Sequence, residues 1–92
     1  MSRALLVTYE LRNTATHDYT PLFNEIKKAT KWWHYLPNAW IMISEHDALS
    51  WQSRLVPLTV MGDNLLIIEV RRNSGGWLPK EAWDWINSNI SF

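Results

Sequence analysis

Polar and apolar positions alternate from Ala4 to Leu11. Leu5, Val7 and Tyr9 share one face and Leu6, Thr8 and Glu10 the other, which is the period of a strand. A polar segment, Arg12 to Asp18, reads as a loop. The period then changes. Leu22, Phe23, Ile26 and Ala29 fall on one helical stripe, begun by the cap-and-proline pair Thr20-Pro21 and followed by Lys27, Lys28 and Lys31, where positive charge suits a helix C-terminus. From Trp32 to Ile43 two aromatic, apolar runs flank Pro37-Asn38. Proline cannot adopt the positive φ that type I′ and II′ turns demand at their first central position, so the pattern predicts a hairpin with a slightly longer loop on a type I turn. Ser44-Glu45-His46-Asp47 has the spacing of a capping box in its aspartate form, ahead of a stripe of Ala48, Trp51, Leu55 and Leu58. Met61 to Asn64 reads as a turn and Leu65 to Val70 as a fourth strand. Arg71-Arg72-Asn73-Ser74-Gly75-Gly76 is a basic, flexible connector, and Pro79 to Ser88 a short terminal helix carrying Trp83, Trp85 and Ile86.

The predicted order, strand, helix, strand, strand, helix, strand, is that of an α+β ferredoxin-like βαββαβ domain. It has an antiparallel sheet covered on one face by two helices, with a short C-terminal helix appended. Residues 1–92 form a single domain, of which 73–92 are connector and terminal helix. An open face carrying Leu6 and Thr8 beside Leu65 and Ile67, near Glu10 and Glu69, is costly to leave in water. Either the terminal helix lays Trp83 or Ile86 across it, or two copies pair there. The short helix covers too little, so the expectation is a homodimer.

Composition narrows the function classes. The absence of cysteine removes disulfides, thiolate metal sites and cysteine nucleophiles. Nine basic residues balance nine acidic ones, so any nucleic-acid contact must be local rather than a whole-surface attraction. No run is long enough to span a membrane and no secretion-signal pattern precedes Ala4, so a cytoplasmic location is expected. Seven tryptophans exceed what so small a core can fully bury, which places some of them in an interface or a pocket.

Catalytic signatures are missing. His17, His34 and His46 lack ligand spacing, there is no nucleophile elbow, and Gly75-Gly76 lacks the lysine of a phosphate loop. The best binding feature is Arg71-Arg72 with Gly75-Gly76-Trp77. Arginine meets phosphate bidentately, glycine lets backbone approach closely, and a tryptophan face stacks on bases. Arg12 is expected beside this connector because the first and fourth strands are neighbours. The bland alternative pairs these arginines with Glu69 or Glu10 and uses Trp77 to plug the helix end.

The chain resembles the SinR-like family of small bacterial and phage proteins. The likeness is carried by Tyr9-Glu10-Leu11, Trp32-Trp33-His34-Tyr35-Leu36 with Trp40, Asp63-Asn64-Leu65-Leu66, and Gly76-Trp77-Leu78-Pro79 with Trp83. That family is similar in fold to the small CRISPR-associated ferredoxin-like nucleases, which dimerise and carry an aspartate at the end of the first strand. The resemblance puts Glu10 at that position. It implies a possible Mg2+ site from paired carboxylates across a dimer axis, though no cofactor is required. The plainer role for Glu10 is an ion pair with Arg3, Arg12 or Arg71. The sequence therefore leads to a homodimeric binder of a nucleotide or nucleic acid without strong catalysis. Its rivals are a metal-dependent nuclease or phosphodiesterase using Glu10, and a phage counter-defence protein that sequesters a host nucleotide signal or blocks a host protein.

Overall fold

A computed structural model describes residues 2–92. The chain forms β1 (Arg3–Glu10), α1 (Thr20–Ile26), β2 (Lys31–Leu36), β3 (Ala39–Ser44), α2 (Ala48–Leu55), a single 3₁₀ turn (Val56–Leu58), β4 (Asn64–Val70) and α3 (Lys80–Asn89). The architecture is α+β. One open, wholly antiparallel sheet has the strand order β2-β3-β1-β4.

The alternation of β1 sorts its side chains as the pattern requires. Leu5, Val7 and Tyr9 face α1 and α2, joining Trp40 and Met42 of β3, Leu22 and Ile26 of α1, and Trp51 and Leu55 of α2 in the main core. On the opposite face Ala4, Trp33, Ile41 and Ile43 meet Ala82, Ile86 and Ile90 from the terminal segment. The helix α3 therefore does fold back over the second face, held also by Trp33 Nε1 donating to the Ala82 carbonyl at 3.2 Å.

Local details differ from the expected ones, each for a definable reason. The hairpin turn is only Pro37-Asn38, because Leu36 pairs with Ala39. Neither turn residue has positive φ, so the turn cannot supply the primed geometry that follows strand twist. The mismatch appears instead as a register shift in β2 between Trp33 and Leu36.

The cap of α2 is Asp47, whose carboxylate accepts from the Ser50 amide at 2.9 Å. Ser44 is not the cap: it ends β3, and its hydroxyl receives the Trp51 indole N–H at 3.0 Å. α1 stops at Ile26, so Ala29, although buried, belongs to the turn leading into β2.

The two faces of β4 are the reverse of those expected. Val7 pairs with Ile67 and Tyr9 with Leu65, which turns Ile67 and Leu65 towards α1 and α2. Leu66 and Ile68, opposite Thr8 and Leu6, hold the other face and are 53% and 48% exposed.

Candidate functional site

The antiparallel register fixes where the expected site residues fall. Glu10, at the end of β1, lies opposite Asn64, at the start of β4, whereas Ala4 lies opposite Val70. Arg12 is therefore at the far end of the sheet from Arg71 and Arg72, and the expectation that it joins them is wrong. Neighbouring antiparallel strands share opposite ends, so it is Arg3 that approaches the connector. Its guanidinium pairs with Glu69 at 3.3 Å, and it lines a hollow with Arg71.

Glu10 is ion-paired with Arg12. Its carboxylate accepts from Arg12 Nη2 at 2.9 Å and Nε at 3.2 Å, and from the Asn64 amide at 3.4 Å. Hydrogen bonds from Arg12 and Asn64 hold its pKa below the ordinary value. A divalent ion prefers several hard oxygen ligands. Within one chain Glu10 offers a single carboxylate already bonded to a cation, and no group of three or more His, Asp or Glu gathers among the described residues. Further ligands would have to come from another molecule.

The connector borders a cleft, with an aromatic wall other than Trp77. Between α3, residues 71–78 and the second sheet face lies a cleft of about 300 Å³, at the lower end of ordinary ligand pockets. Its floor is Leu6, Ile41 and Val70, its walls Trp33 and Trp83, and its rim Arg71, Asn73 and Ser74. Trp77, expected as the stacking residue, is 99% exposed and does not line the cleft, nor does it plug the helix end. Trp83 takes the wall position, with Gly76 against its ring. A Cβ at Gly76 would lie 3.9 Å from the indole, at a φ of +152° that side-chain-bearing residues rarely adopt. Trp33 and Trp83 were absent from the expected site. The signal for Trp83 is available in its helical spacing with Ile86, which marks one face of α3; Trp33, on β2, carries no such signal.

The charges at the rim are unusual. Glu69 is engaged by Arg3 and Glu10 by Arg12, so the acids expected to neutralise the connector are taken. Among the described residues no carboxylate lies within ion-pair distance of Arg71 or Arg72. The backbone of Arg72 is fixed by its amide donating to the Phe92 carbonyl at 2.7 Å, and both side chains are exposed. Of the two, Arg71 lies on the rim of the apolar, tryptophan-walled cleft, whereas Arg72 is not part of its lining.

A second hollow, lined by Lys28, Ser44, His46, Trp51 and Arg54 among others, is more polar. Its cations are already spent. Glu25 pairs with Lys28 at 3.0 Å and with Arg54 at 2.9 Å, and Arg54 also lies over the Trp51 ring at 3.8 Å. Those contacts draw the Glu25 carboxyl below its usual pKa, as expected of a carboxylate between two cations. That hollow holds its own counter-charge, whereas among the described residues Arg71 and Arg72 make no ion pair. No helix among the described residues is long and apolar enough to cross a membrane. No protein-family model, curated protein or solved structure matches the chain.

Proposed function

We propose that this protein is a cytoplasmic, homodimeric, ferredoxin-like protein of SinR-like type that binds a nucleotide, free or as part of a nucleic-acid strand, without strong catalysis. The observation that carries the reading is Arg71, which makes no ion pair among the described residues, at the rim of a cleft walled by Trp33 and Trp83, with the exposed Arg72 next to it in the chain. Guanidinium groups suit phosphate oxygens, and an indole wall suits the face of a base. The βαββαβ element order with strand order β2-β3-β1-β4 supports the ferredoxin-like assignment. The half-exposed Leu66 and Ile68 support a second copy as partner. Sequestration of a host nucleotide signal is one use such binding would serve.

The test is calorimetric titration with nucleoside mono- and diphosphates, cyclic dinucleotides and short RNA and DNA strands. Each charge-assisted hydrogen bond contributes roughly 1.5–3 kcal/mol, so the double substitution Arg71→Ala, Arg72→Ala is expected to weaken binding at least tenfold. Melting temperature should hardly change, since both side chains are exposed. Binding unchanged by the double substitution, or no binding by the parent protein to any of these ligands, overturns the proposal.

A further inference from the structure

We propose that two copies of the chain join β4 to β4 across a two-fold axis at Ile67, making one sheet that runs through both subunits. This rests on the homodimer part of the reading above and says how the two copies meet.

Hydrogen-bond direction identifies the free edge. The Tyr9 amide donates to the Asn38 carbonyl, on the β3 side, while the Arg12 amide donates to the Asp63 carboxylate, on the β4 side. Backbone groups alternate sides along an antiparallel strand, so odd-numbered residues of β1 bond to β3 and even-numbered ones to β4. With Leu6 opposite Ile68 and Thr8 opposite Leu66, it is Asn64, Leu66, Ile68 and Val70 that bond inward. The N–H and C=O groups of Leu65, Ile67 and Glu69 therefore point off the end of the sheet, and none has a hydrogen-bond partner among the described residues.

Unpaired edges are normally blunted by lysine, proline or a bulge. The edge at β2 is so protected: it begins at Lys31, carries the register shift between Trp33 and Leu36, and ends against Pro37. β4 has no proline, no glycine and no register shift, and its one charge, Glu69, is paired with Arg3 of its own chain.

A second copy fits this edge because the edge is complementary to itself. Ile67 is the midpoint of Asn64–Val70, so a two-fold axis there pairs the entire strand and matches outward groups with outward groups. Leu65 then lies opposite Glu69 of the partner subunit, and Leu66 opposite Ile68 of the partner subunit. The second pairing merges the two half-exposed apolar positions into one strip. Charge agrees. Asp63 and the Glu10–Arg12 ion pair lie at one end of β4 and Arg71 and Arg72 at the other, so antiparallel pairing brings the Asp63 end near the basic one. Asp63 is already saturated by hydrogen bonds within its own chain. The attraction is therefore long-range and leaves the guanidiniums available at the cleft.

The absence of cysteine gives a register-specific test. Directly opposed residues of a non-hydrogen-bonded antiparallel pair have Cα atoms about 4.5 Å apart, within disulfide range. Leu66→Cys and Ile68→Cys are made separately and oxidised with diamide, alone and mixed. The mixture is expected to give a covalent dimer and each variant alone little. Glu69→Pro removes one outward N–H while sparing the inward ladder. It is expected to raise the dimer dissociation constant, measured by sedimentation, at least tenfold with an unchanged circular dichroism spectrum. A parent protein that stays monomeric at high micromolar concentration overturns both the homodimer reading and this interface. A dimeric parent whose mixed cysteine variants fail to cross-link overturns the β4 edge alone. Should Glu69→Pro fail to fold, the cysteine pair decides.

Discussion

Asp63 is the residue on which the loops at one end of the sheet converge. Its Oδ1 accepts from the Arg12 amide at 2.8 Å and the Asn13 side chain at 3.2 Å, and its Oδ2 from the Tyr19 hydroxyl at 2.6 Å and the Val60 amide at 3.0 Å. Gly62, at φ +96°, makes the turn that aims it. Burial works to raise the Asp63 pKa, but donation from Tyr19, Arg12, Val60 and Asn13 outweighs it and lowers the value from 3.8 to about 2. A folded-state pKa below the unfolded one means that Asp63 contributes its full stability above about pH 4. That contribution is lost as the pH falls towards 2. Glu10, Glu25 and Asp47 are lowered too, so acid destabilises in the same direction at several sites. Asp63→Asn keeps the shape but trades an acceptor oxygen for a donor NH₂. It is expected to lower the melting temperature at pH 7 by several degrees and to flatten its fall between pH 4 and pH 2. Thermal melts across that range check both, and a slope equal to the parent's would remove Asp63 as the principal acid-sensitive contact. The sequence marked Met61 to Asn64 only as a turn, since nothing local shows that a loop fifty residues upstream supplies its donors.

At the scale of elements, legibility followed periodicity. β1 alternates, and its faces were read correctly. Leu65-Leu66-Ile67-Ile68 is apolar at every position, so it carries no alternation, and only pairing with β1 decides which side chains point inward. The start of α2 was misread because Ser44 and Asp47 are both capping residues, and it is tertiary packing of Trp51 that claims the Ser44 hydroxyl. The misplacement of Arg12 came from treating strand adjacency as adjacency of like ends. The terminal helix is legible as a helix, but the expectation that it covers too little and leaves the second face to another copy understates its docking, because a short amphipathic helix does not state its partner. Ala82 and Ile86 now identify that partner as the face of β2 and β3. Ile86→Ala leaves a cavity between α3 and the sheet, an event that typically costs about 2–5 kcal/mol. It is expected to lower the midpoint of urea unfolding clearly while leaving far-ultraviolet dichroism near that of the parent at low denaturant. A change within experimental error would show that α3 contributes little to holding the fold.

The whole molecule places an apolar layer on each side of one sheet, but the two layers differ in completeness. The α1/α2 side is closed, with Leu5, Val7, Leu22, Trp40, Trp51 and Leu55 all buried. The α3 side is closed over β2, β3 and the start of β1 at Ala4, and its unfilled part is the cleft under the connector. A nucleotide bound there contacts groups contributed by α3, residues 71–78 and the sheet, so binding should tie the least completed layer to the rest. A ligand that binds only the folded state stabilises it by about 2.7 kcal/mol at a hundredfold excess over its dissociation constant. For a domain of this size that corresponds to a rise in melting temperature of roughly 10 °C or more. Global stabilisation alone does not locate the site, since any ligand of the folded state produces it. Hydrogen exchange does. A nucleotide in the cleft should slow exchange most at α3 and along residues 71–78, where opening short of global unfolding is expected. α1 and α2, on the closed side, should respond only through the global term. Protection confined instead to Lys28–Thr30 and Ser44–His46 would place the ligand in the polar hollow beside Arg54, and the unpaired connector arginines would then need another explanation.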